Sequence, residues 1–124
     1  MYGLMEKAMR DILLQCSGIG AIAASLIHGL LGETKVFARA QIEPQRLRTL
    51  IRLVWQAGTV AWIGGGVLLL LVPWMQSDQA RHAIIVTLAC VYGFAACANA
   101  WATRGRHFGW MIFAGVTALA VAGY

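Results

Sequence analysis

Four apolar runs, 12–31, 50–73, 83–102 and 107–124, take up most of this chain of 124 residues. A helix needs about 20 apolar residues to cross a hydrocarbon core ~30 Å thick. The first three runs reach that length and the fourth falls just short of it. None carries Lys, Arg, Asp or Glu at its centre. The fold they predict is all-α: an integral membrane four-helix bundle with up-down topology, one transmembrane domain over 1–124. Charged residues are 12% of the chain and hydrophobic ones 60%, whereas soluble domains are about a quarter charged. The segments between the runs are too short to hold a separate catalytic module.

The net charge of +5 is unevenly distributed, and that unevenness speaks to topology rather than to nucleic acid. Lys35, Arg39, Arg46, Arg48 and Arg52 lie in the first connection and its exit, and Arg104 and Arg106 in the third. Lys7, Arg10 and Arg81 lie on the other side. Loops rich in Lys and Arg stay in the cytoplasm. The expected location is therefore a bacterial inner membrane, with loops one and three cytoplasmic and both termini periplasmic. The first run has a basic start like a signal peptide, but it lacks a small-x-small cleavage site. Gln15 is also too large for the position before a lipoprotein cysteine. It reads as a retained helix. Cys16, Cys90 and Cys97 fall inside the runs at spacings that match no metal or redox motif, and read as packing residues.

The runs have distinguishable faces. At 100° per residue, Ser17, Ala21, Ala24, Ser25 and His28 share one side of the first, and Ile19, Ile22 and Leu26 the other. Small residues let helix backbones approach closely in a membrane, so the serine–alanine stripe should face the bundle and the isoleucine side lipid. The second run shows Arg52, Gln56, Thr59 and Ile63 on one side and Gly58, Ala61 and Gly65 opposite, as expected of a helix with two neighbours. Pro44 suits the first turn of that helix. Gly64-Gly65-Gly66 reads as close packing, with a hinge as the functional alternative. Ala89, Gly93, Ala96 and Ala100 form a contact seam on the third run, with Tyr92 and Asn99 adjoining it. His107, Met111, Ala114 and Ala118 share the side of the fourth taken to face inward. Trp55, Trp74, Trp101 and Trp110 sit near run ends, as in an interfacial aromatic belt. Trp62 falls at mid-span, as a packing or lipid contact.

Depth brings a polar set together. His28, Glu33, Arg52, Gln56, Asn99, Arg104, Arg106 and His107 all lie near the cytoplasmic ends of the runs. Polar groups within spans turn to the bundle, because lipid offers no partners. The set reads either as a site for an anion, a lipid head group, a quinone or a cofactor, or as a network tying helix ends together. In the second reading Glu33 pairs with an arginine, and His28 with Gln56 or Asn99. A hydrolase would need a carboxylate to orient a histidine beside a nucleophile, and only Glu33 stands near Ser25 and His28. A zinc site would need three or four ligands; His28, His107 and Glu33 could supply three, but no sequence motif supports it. Haem b would need facing axial ligands, for which His28 and His107 are the candidates.

His28-Gly29-Leu30-Leu31-Gly32-Glu33 after an apolar helix, Trp55-Gln56 opening the second, and Arg104-Gly105-Arg106-His107 followed by Trp110 resemble a group of small four-span inner-membrane proteins common in proteobacteria. The resemblance runs through most of the chain. It implies an inner-membrane protein and assigns no activity. Members of that group often carry Trp-His where this chain has Trp55-Gln56, so a ligand role for that second histidine does not carry over. The small multidrug exporters differ, since the chain lacks their buried glutamate in the first helix. Signatures of small fluoride channels are missing as well.

The expected function is that of a non-enzymatic membrane protein with no resident cofactor. It would act as a homo-oligomer or an accessory subunit of a larger complex, in contact with a bilayer that includes anionic lipids. The alternatives are an oligomeric channel or small-solute transporter, and a redox protein linked to haem b or quinone.

Overall fold

The computed structural model describes all residues, Met1–Tyr124. It contains helices and no strands. Helix α1 spans Tyr2–Leu31 and continues as a π-helical turn over Gly32–Phe37. Helix α2 spans Gln45–Leu71, followed by a 3-10 turn over Val72–Trp74. Helix α3 spans Asp78–Thr103 and α4 spans Gly109–Ala122. Three of these helices are long and apolar enough to cross a membrane. The fourth has 14 residues, about 21 Å at 1.5 Å per residue, and is shorter than a hydrocarbon core.

Local chemistry sets the boundaries. Pro44 takes the extended N-cap position just before α2, where its missing N–H costs nothing. The Ser77 hydroxyl accepts from the Ala80 N–H at 3.2 Å, and Asp78 follows in the first turn of α3. That is a side-chain cap with a carboxylate at the positive end of the helix. Helix α3 closes through two residues of positive φ, Arg104 at 51° and Gly105 at 72°. The Gly105 N–H donates to the Ala100 carbonyl at 2.8 Å, satisfying an end group that would otherwise be free. The first helix is longer than its apolar run. Its 30 residues measure about 45 Å, so its first ten residues form an exposed extension.

Packing follows small residues. α1 lies against α2, with the Cβ position of Gly18 only 2.7 Å from the Gly66 carbonyl oxygen. α1 also lies against α4, where the Ser17 hydroxyl donates to the Val116 carbonyl at 2.7 Å. α3 meets α4 where Gly93 faces Thr117. α2 meets α3 where the Tyr92 hydroxyl donates to the Trp62 carbonyl at 2.7 Å.

The serine–alanine stripe of α1 is buried at Ser17, Ala21, Ala24 and Ser25, while Ile19 and Leu26 are exposed. Ile22 departs from the expectation: it is half-buried, and its Cγ1 approaches Gly66. α2 does have two neighbours, and both expected sides take part: Gln56 and Thr59 meet Gly29 of α1, with Gly66 two turns beyond Thr59, and Gly65 meets Leu88 and Tyr92 of α3. Gly58 faces open space and Ala61 is exposed. On α4 the expected inward side holds at His107 and Ala114, which are half-buried, and fails at the other two. Met111 and Ala118 are exposed, and Phe113, Val116 and Ala120 are buried.

The α2–α3 contact yields a test. A methyl group at Gly65 would stand 2.5 Å from the Tyr92 hydroxyl and 2.8 Å from Leu88 Cδ2. Gly65→Ala should therefore destabilise the protein by about 1–3 kcal/mol through overpacking. Tyr92→Phe alone should cost about 1 kcal/mol for the lost hydrogen bond. The double variant removes the hydroxyl that the methyl strikes, so it should lose less than the two single losses together. Denaturant titration in mixed micelles measures all three, and strict additivity would show that Tyr92 does not set the spacing.

Candidate functional site

The polar residues singled out by depth separate into three groups. In the first, α1 and α2 are clasped. The π-helical turn places Glu33 against α2, where Arg52 Nε donates to Glu33 Oε1 at 3.0 Å and Arg52 Nη2 stands 2.6 Å from Oε2. This is a fork of two parallel contacts on one carboxylate. Gln56 Nε2 donates to Glu33 Oε1 at 2.7 Å and to the Gly29 carbonyl at 3.3 Å. Beside them the Trp55 indole N–H donates to the His28 carbonyl at 3.1 Å. Gly32 is buried under that indole, leaving no space for a side chain. Arg48 reaches back to the Phe37 carbonyl.

The second group surrounds a cavity of about 180 Å³ whose walls include His28, Trp55, Asn99, Thr103, His107 and Phe113. All four helices or their connections contribute. The His28 ring stacks on Trp55 at 4.1 Å with 5° between planes, and Trp62 stands 4.7 Å from it. Trp62 in turn meets Phe113 edge-on at 4.7 Å. His28 pairs with neither Gln56 nor Asn99, its expected partners: Gln56 is taken by Glu33, and the imidazole is held by aromatic faces instead. His107 Nδ1 accepts from the Gly109 N–H at 3.1 Å, capping one of the free donors that begin α4. In a neutral ring the proton is then on Nε2. The Thr103 hydroxyl donates to the Asn99 backbone carbonyl at 2.7 Å. The Asn99 side-chain oxygen is buried and has no hydrogen-bond partner in the chain.

Arg104 and Arg106 form the third group. Both are exposed at the turn between α3 and α4 and stand apart from the clasp and the cavity walls. Depth grouped them with the others, but the positive-φ reversal at Arg104 and Gly105 carries them to the outside.

Chemically, the clasp is saturated, because both Glu33 oxygens face Arg52. The Ser25 hydroxyl is spent on the Ala21 carbonyl at 2.6 Å, so it is not poised as a nucleophile for His28. No three His, Cys, Asp or Glu side chains converge. His82 stands at the opposite end of the chain's fold, 4.7 Å from Tyr124. Pockets for drug-sized ligands run to roughly 300–1,000 Å³, so the cavity suits something smaller than a haem.

Sequence reading did not place Trp62, Phe113 or Thr103 at this site, and it gave Trp55 only an interfacial role. A usable signal was present. Trp55, Thr59 and Trp62 follow an i, i+4, i+7 spacing on α2, which puts two indoles on the face that meets Gly29. Comparison with protein-family models, curated proteins and solved structures finds no match to this chain.

Proposed function

We propose that this is a non-catalytic protein of the bacterial inner membrane. It crosses the bilayer as an up-and-down four-helix bundle with both termini periplasmic, and acts as a homo-oligomer or as an accessory subunit of a larger membrane complex. The observation that carries the reading is a shallow groove along α3 and α4, lined by Gly93, Ala96, Cys97, Ala114, Ala118 and Ala122. No helix of this chain covers it. In lipid, such a strip of small residues allows another helix to approach closely. The resemblance to small four-span inner-membrane proteins agrees with this reading. The exposed Lys35, Arg39, Arg46, Arg104 and Arg106 fit anionic head groups at the cytoplasmic surface.

A solute channel is a poorer reading of the same bundle. The buried hydroxyls of Ser17, Ser25 and Tyr92 are each spent on a backbone carbonyl, so they do not line a hydrated path. The assembly reading is tested by mass measurement of the full chain in native nanodiscs. A multiple of the chain mass, or a partner retained at fixed ratio, is the expected result. Ala118→Phe should fill the groove and release monomers while the bundle stays folded. Monomers without a retained partner in the unsubstituted protein would end the proposal.

A further inference from the structure

The cavity between the four helices has features that a packing network does not need. Its walls are largely apolar and include five aromatic rings: His28, Trp55, His107, Phe108 and Phe113. Its volume is about 180 Å³, and an apolar cavity of roughly 150 Å³ takes up benzene. One six-membered ring with a small substituent is therefore the scale of occupant it admits. Aromatic walls favour an aromatic occupant, through offset and edge-on contacts.

The polar atoms narrow the choice. Asn99 lines the cavity, and its buried side-chain oxygen lacks a partner. A buried acceptor without a partner is costly, so a turn of the amide toward an occupant that offers a donor is favoured. His107 accepts at Nδ1 from the Gly109 N–H, which leaves Nε2–H as a donor in the neutral ring. A hydroxyl both donates and accepts, so it pairs with the Asn99 amide and also with an imidazole N–H. No carboxylate, lysine or arginine lines the cavity, which disfavours a charged occupant. Val36 and Phe108, both lining residues, are 40% and 47% exposed, so the lining reaches the surface there.

We propose that this cavity binds a single hydroxylated aromatic ring, either a free phenol or the head group of a prenylated hydroquinone, with the ring against Trp55 and Phe113 and its hydroxyl on Asn99. The site is independent of assembly with other subunits, so its test stands apart from the mass measurement above.

The test uses the full chain in phosphatidylcholine nanodiscs and photolabelling with 4-azidophenol, mapped by mass spectrometry. Saturable labelling of the peptides carrying Trp55 and Phe113 is expected, with competition by phenol. Greater potency of a prenylated hydroquinone would identify a lipid-borne head group, and competition by phenol alone a free ring. Asn99→Leu should cut labelling at least tenfold while raising the melting temperature of the ligand-free protein, because it removes the unpartnered amide. Ile112→Phe, which fills the cavity without touching that amide, should also cut labelling. Labelling that does not saturate, that spreads over the outer surface, or that survives both substitutions would overturn the proposal.

Discussion

Gly66→Ala should destabilise the protein by about 3 kcal/mol, while Gly64→Ala, two residues away, should leave it unchanged or more stable. The opposite outcomes follow from what each added methyl meets. At Gly66 it would stand 2.7 Å from Ile22 Cγ1, 2.9 Å from the Gly18 carbonyl oxygen and 3.2 Å from the Ile22 nitrogen. Two of those three atoms are backbone of α1, so no side chain can rotate away and the helices must separate. Overpacking of a filled site costs about 1–3 kcal/mol, and a forced separation of backbones belongs at the upper end. The crossing is reciprocal: a methyl at Gly18 would meet the Gly66 carbonyl oxygen at 2.7 Å and Leu70 Cγ at 2.9 Å. Gly18→Ala should therefore show a loss of similar size. At Gly64 an added methyl meets nothing within 4 Å, and replacing an exposed helical glycine by alanine gains roughly 0.5–1 kcal/mol. Unfolding by denaturing detergent in mixed micelles gives both values. Equal losses at Gly64 and Gly66 would mean that the triple glycine acts as a hinge rather than as a contact.

That triple glycine shows what the sequence made legible and what it left hidden. Run length and the absence of central charge foretold four helices, because a continuous helix satisfies its own backbone. The stripe of Ser17, Ala21, Ala24 and Ser25 foretold the buried face of α1, because its other side carries large aliphatic residues. No such contrast exists on α4, where nearly every residue is apolar. A helix that is hydrophobic all round has no face that periodicity can find, which is why spacing points Met111 inward and passes over Phe113. The polar set was legible in depth but not in direction. Asn99 and His107 do share a cavity with His28, and Glu33 does meet Arg52 and Gln56. Yet the reversal at Arg104 and Gly105 turns on two positive φ angles, and a spacing argument does not contain them. The aromatic stack of His28, Trp55 and Trp62 depends on how α1 crosses α2, and that crossing is set by close approaches at Gly29 and Gly32 and, further along, at Gly18 and Gly66.

The second large effect lies at the other end of the protein, where no local pattern pointed. Arg81 Nη2 stands 3.2 Å from Asp11 Oδ1, joining α3 to α1 across a separation of 70 residues, with side-chain exposures of 17% and 22%. Exposed ion pairs contribute little, but this one is largely withdrawn from solvent. Asp11 also sits at the entry to the apolar run of α1, where an uncompensated charge would lie among apolar neighbours. Breaking a fully buried pair by removing one partner costs 3–5 kcal/mol. The residual exposure here scales that down to about 2 kcal/mol for either Asp11→Asn or Arg81→Gln. Arg10 does not rescue the single variants, because its guanidinium is already engaged by the Tyr124 carbonyl at 2.7 Å and by Glu6 at 3.4 Å. The double variant leaves two neutral amides that can bond to each other, and it should recover at least half of the loss. A coupling energy above about 1 kcal/mol in that cycle would mark the pair as the clamp between α1 and α3. Additive losses would reduce it to two separate surface charges, and the mutual packing of α1 with α4 and α3 with α4 would then hold that end alone.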